Sequence, residues 1–138
     1  MFENPSVEEV QEALETLREL HITRVEITFS GGNDEGGADG VTAFDTQSNE
    51  VDVPKGRAYR NGNLWQVYEF IQHRSSSRPA TEDEITWSRV RDVLEGPIYE
   101  RWGSFAGEFY VQGTLTWDVV KGTHEMHGQE SFETYESF

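Results

Sequence analysis

The chain has no cysteine, which excludes a disulfide framework, a zinc–thiolate site and a thiol nucleophile. It is poor in cations: 2 Lys and 9 Arg stand against 19 Glu and 7 Asp. A surface so short of positive charge repels nucleic acid and anionic membranes. No apolar run approaches the roughly 20 residues that a membrane helix needs. The opening MFENPSVEEV lacks the basic-then-apolar order of a signal peptide, so a cytoplasmic location is expected. Catalytic signatures are also missing. The sequence has no G-x-S-x-G elbow, no HExxH and no GK[ST] phosphate loop. Paired carboxylates discriminate nothing in a chain with 26 acids.

What remains is a 138-residue chain of net charge −15 with 17 aromatic residues. That length predicts a single domain over 1–138, and the aromatic rings supply enough apolar area for a core. The charge is uneven. Residues 1–53 carry −11, residues 54–80 carry +4 through Lys55, Arg57, Arg60, Arg74 and Arg78 against Glu69, and residues 81–138 carry −8. The basic middle is either an internal salt-bridge partner for the acidic ends or a local anion or partner site. The first is favoured, because sequence blocks intermix in space.

Two helices are predicted. Over 6–20, Val7, Val10, Leu14 and Leu17 form one apolar stripe. Ser6 with Glu9 has capping-box spacing, and Glu8, Glu12, Glu15 and Glu19 line the opposite, solvent-facing side. Over 82–95, Thr81 with Glu84 repeats the capping box, with Trp87, Val90 and Leu94 as the stripe. Gly96-Pro97 ends or kinks this helix, and Ile98, Tyr99 and Trp102 continue its buried face.

Strand signals flank the helices. TRVEITF at 23–29 alternates, with Val25, Ile27 and Phe29 on one side. SGGNDEGGADG then breaks the periodicity, VTAFD resumes it and EVDV follows, which reads as a hairpin with a long tip. Asn61-Gly62 marks a turn, and 64–71 reads as a strand because aromatic and β-branched residues dominate it. HRSSSRPATE reads as a loop. From Phe105 onward one parity holds Phe105, Phe109, Val111, Leu115, Trp117 and Val119, and Lys121-Gly122 turns into one or two further strands. The expected fold is therefore α+β: an antiparallel sheet of about five to seven strands with two helices packed on one face. Leu14, Leu17, Val90, Leu94, Phe109 and Trp117 should be buried.

The candidate sites follow from charge. In the glycine-rich segment, Asn33, Asp34, Glu35, Asp39 and Asp45 offer hard oxygen donors of the kind calcium takes. An EF-hand alignment puts Thr46 where the closing Glu belongs, so a mobile, metal-free, solvated tip is favoured. A partner-contacting loop and a calcium site are the alternatives. Among the four histidines, His124 and His127 have His-x-x-His spacing, but on a strand such residues point to opposite faces. No metal, cofactor or catalytic residue is expected.

ITFSGGNDEGGADGV and WGSFAGEFYVQGTLTWDVVKGTHEMHG together resemble an uncharacterised domain family of bacteria and their mobile elements. The matching positions are Ser30, Gly31, Asp34, Gly36, Trp102, Gly103, Gly107 and Phe109. The resemblance implies a compact α+β unit and carries no activity or catalytic residue. The expected function is a non-enzymatic acidic protein-binding module, of the inhibitor or accessory kind, in which Glu8, Glu12, Glu15 and Glu19 engage a basic or nucleic-acid-binding protein surface. A calcium-binding module at 33–45 and an enzyme without a readable motif are the alternatives.

Overall fold

The computed structural model describes residues 5–54, 57–103, 105, 109–131 and 135–138, with Phe70, Ile71, Tyr135 and Glu136 described through their backbone. Helix α1, Val7–Glu19, starts at a complete capping box, with Ser6 and Glu9 each accepting from the other's backbone N–H. It buries Ala13, Leu14 and Leu17. Val7 has the phase of the stripe but sits in the first turn, ahead of the packed core, and is 75% exposed; Val10 is the first residue of the stripe to pack.

Strands β1 (Ile22–Gly32) and β2 (Glu35–Asp45) form an antiparallel hairpin paired down to Gly32 and Glu35. The expected long tip is thus corrected to a two-residue turn. Asn33 and Asp34 both have positive φ, 52° and 71°, the backbone of a type I′ turn whose twist matches the flanking strands. The remaining residues of 31–40 lie in strand, with Asp39 as the extra residue where the register shifts between Thr28 and Phe29.

Strand β3 (Glu50–Val51) pairs with β2. Strands β4 (Ala58–Asn61), β5 (Leu64–Ile71) and β6 (Arg74–Pro79) then form a separate three-stranded antiparallel sheet. The β4–β5 turn is Gly62-Asn63, since Asn61 itself pairs with Leu64. The segment expected as a loop at 73–82 contains β6. Its serines carry no strand signal of their own, and its structure is imposed by backbone pairing with β5 after a tight turn at Gln72 and His73, both of positive φ.

Helix α2, Glu82–Leu94, carries the second capping box. Helix α3, Gly96–Trp102, follows directly, with Pro97 in its first turn where a missing N–H costs nothing. Strands β7 (Tyr110–Asp118), β8 (Thr123–Ser131) and β9 (Tyr135–Ser137) complete the main sheet, whose six strands run in the order β3-β2-β1-β7-β8-β9. The architecture is α+β, with a helical layer on one face of an antiparallel sheet.

Register explains the core. Ala43, Val25 and Trp117 lie abreast across β2, β1 and β7, as do Val41, Ile27 and Leu115. Leu14, Leu17, Trp87, Val90, Leu94 and Ile98 close over them. Trp117 Nε1 donates to the Leu94 carbonyl at 2.8 Å, and Arg18 donates twice to the Val119 carbonyl, at 2.8 and 3.1 Å. Phe109 is half-buried at the margin of this core.

Glycines mark where rings meet backbone. A Cβ on Gly36 would stand 2.6 Å from Phe105 Cγ, and one on Gly31 would meet the same ring more closely still. Phe105 is fully buried and accepts a 2.9 Å hydrogen bond from the Asp34 N–H. On the next two strands, Gly113 of β7 leaves room for Phe29 and Gly128 of β8 for Phe138. Trp102 bridges these rings, 5.1 Å from Phe29, 5.4 Å from Phe138 and 6.4 Å from Phe105. Gly107 lies outside the described residues.

Two substitutions test this core by urea unfolding. Leu17→Ala should cost roughly 2–5 kcal/mol through the cavity it leaves. Gly31→Ala should cost about 1–3 kcal/mol by the opposite route, because its methyl group overlaps the Phe105 ring.

Candidate partner-binding face

The helical layer carries the charge asymmetry. Glu8, Glu12, Glu15 and Glu19 are all exposed along α1. Among the described residues no ion pair reaches any of the four.

The nearby cations are engaged elsewhere. Arg57 pairs with Asp92 at 2.8 Å and with the buried Glu95 at 2.5 Å. Burial works against the Arg57 charge, but the hydrogen bond and charge of Glu95 outweigh it, and its pKa is raised. Arg91, itself buried beside Glu95, is shifted down by burial first and then by Arg57. Arg78 bonds Glu69 and places two nitrogens 2.7 Å from the two oxygens of Glu84. Arg60 and Arg89 both lie over the Trp65 ring, at 5.9 and 5.4 Å. The basic segment is therefore an internal salt-bridge partner at Arg57 and Arg78, joining the small sheet to α2. Lys55 lies outside the described residues.

Between α1 and α2 runs a cleft of about 440 Å³ lined by Glu9, Glu12, Thr16, Thr86, Arg89 and Asp92 over Ala13, Val90 and Val93. A second cleft, about 280 Å³, continues past Thr16 and Thr86, with Glu19, Asp52 and Asp83 around Leu20, Ile22, Val51, Pro54 and Trp87. Of the four glutamates read from sequence, Glu12 and Glu19 line these clefts, while Glu8 and Glu15 stand on the ridge beside them. Asp52, Asp83 and Asp92 were missed. Asp83 and Asp92 stand at opposite ends of α2 and Asp52 follows β3, and no spacing rule joins them to α1.

Of the glycine-rich candidates, Asn33, Glu35 and Asp39 line one open cavity of about 570 Å³ beside Tyr110, while Asp45 lies at the far end of β2. Asn33 and Asp34 occupy the turn and Glu35 starts β2. Asp39 accepts from the Ser30 hydroxyl at 2.8 Å, and Asp45 accepts from the N–H groups of Gln47 and Asn49. His124 packs on Trp117, while His127 sits beside Glu125 at 3.4 Å. Among the described residues no group of three or more His, Cys, Asp or Glu could hold a metal ion. No helix among them is long and apolar enough to cross a membrane.

Glu84 joins the fold to pH. Its carboxylate is drawn from the ordinary 4.5 to about 2, chiefly by the Arg78 hydrogen bonds and then by the Thr81 backbone. A depressed carboxylate contributes stability that is complete above about 4.5 and is lost as the pH falls toward 2. Glu84→Gln should lower stability at neutral pH by about 2 kcal/mol. It should also flatten the acid limb of the stability profile in that window, read by denaturant unfolding at stepped pH.

Compared with known proteins, the chain belongs to a family of unknown function, DUF6878, which matches residues 7–138. No curated protein and no solved structure matches it.

Proposed function

We propose that this chain is a non-enzymatic binding module that engages a basic surface of another protein through α1 and the clefts beside it. The observation that carries this reading is the row of four exposed glutamates on α1, which meets no cationic partner among the described residues. Like charges three and four residues apart cost an isolated helix a few tenths of a kcal/mol per pair. Arg57 and Arg78 are spent on the joint between α2 and the small sheet, and Arg18, on α1 itself, is held by the Val119 carbonyl. The unneutralised row presents a polyanionic edge, the complement of a protein surface built to hold nucleic acid. In that role the module would inhibit or accompany its partner by occupying such a surface. The capping boxes, the Trp117 bond and the Arg18 bonds hold this edge rigid, so little ordering entropy is lost on docking.

The test is kinetic. A basic partner captured from the native host should associate more slowly as salt rises, since steering between exposed charges is screened within about 8 Å at physiological ionic strength. Changing Glu8, Glu12, Glu15 and Glu19 together to Gln should reduce the association rate by about tenfold or more while leaving the circular dichroism spectrum unchanged. An association rate indifferent to both salt and these substitutions refutes the reading.

A further inference from the structure

We infer that the paired clefts between α1 and α2 receive an extended basic segment of the partner, with one arginine side chain seated in the lower cleft. This rests on the acidic-face reading and gives it a binding mode. The lower cleft joins two chemistries that one side chain can satisfy. Its walls are apolar: Ile22 and Trp87 are buried, Leu20 is 49% exposed, and Val51 and Pro54 complete the cavity. Among the described residues its charged lining is Glu19, Asp52 and Asp83, with no base. A neutral apolar side chain would fill the walls and leave three carboxylates facing it. A compact cation would answer the carboxylates and leave Leu20 and Val51 in water. Arginine does both, burying its methylenes against apolar walls and presenting a planar fork of donors to carboxylates.

The upper cleft sets the length of the segment. Thr16 and Thr86 line both cavities, so the two adjoin. From Glu9 to Leu20 the α1 axis advances about 16 Å, which roughly five extended residues span. The upper cleft holds Glu9, Glu12 and Asp92, the last already paired with Arg57, against one lining cation, Arg89, whose guanidinium also lies over Trp65. A second basic residue of the segment meets net negative charge there as well.

The probe is a fluorescein-labelled pentapeptide of alternating Arg and Val, with the citrulline-for-arginine peptide as control, followed by anisotropy in low salt and by amide chemical shifts. The expected result is binding that moves the amides of Thr16, Leu20, Val51, Asp83 and Thr86 and is lost with citrulline. Thr86→Trp fills the junction of the clefts without changing charge and should weaken binding by at least about tenfold. Asp52→Asn with Asp83→Asn, two exposed acids, should do the same where the tryptophan variant fails to fold. Binding that persists in both but is lost in the four-glutamine variant overturns the groove and leaves the acidic face standing. Arginine-dependent binding that moves only amides outside the clefts also overturns the groove. No binding to the unaltered protein overturns both.

Discussion

The flat contact of the Phe105 ring with the backbone of Gly31 and Gly36 is the constraint on which the far end of the molecule depends. A glycine pair in adjacent strands removes two side chains and leaves a slot of bare peptide. A single ring fills that slot from above and restores the apolar contact that the glycines forfeited. With Phe105 seated, its carbonyl is in place for the Asp34 N–H, which fixes the β1–β2 turn. Tyr99 of α3 reaches the next stretch of β2, accepting from the Ala38 N–H at 3.4 Å. Trp102 packs between Phe29, Phe105 and Phe138 and donates to Glu130 at 2.7 Å. The glycines and the aromatic residues are thus one device, although some seventy residues separate them in the chain.

Charge is organised by a similar division of labour. A chain with so few cations cannot neutralise its acids everywhere, so where the arginines go decides which surface stays negative. Arg57 and Arg78 go to the joint between the small sheet and α2, where they meet Glu95 and Glu84, both largely buried. An unpaired buried carboxylate is far more costly than an exposed one. The exposed glutamates of α1 are solvated and tolerate being left alone. The acidic edge follows from that hierarchy: the interior takes the available cations first.

Much of this was legible in the sequence because it was local. Both capping boxes are four-residue patterns, and both form. The alternation of Val25, Ile27 and Phe29, and of Val111, Leu115 and Trp117, reports directly which face of each strand is buried. Two segments misled for one reason. SGGNDEGGADG and RSSSRP have loop composition, yet both lie in sheet because partners distant in sequence or across a tight turn supply the missing stabilisation. Glycine in the first is shaped by a ring that arrives late in the chain, and serine in the second merely follows β5. The clefts were illegible for a stricter reason. The upper exists only where α1 and α2 meet and the lower only where residues 51–54 join them, and no periodicity within one element encodes a space between several.

The position of β1 has a consequence for how the chain reaches this state. One neighbour, β2, follows it immediately, but the other, β7, begins only after the small sheet and both later helices have been made. Closing so long a loop raises contact order and slows folding. Until β7 docks, β1 exposes an unpaired edge beside Val25, Ile27 and Phe29, a template for pairing with another chain. During that interval every copy carries the same large negative charge, which keeps incomplete chains apart. The acidity of the finished surface thus also protects the molecule before that surface exists.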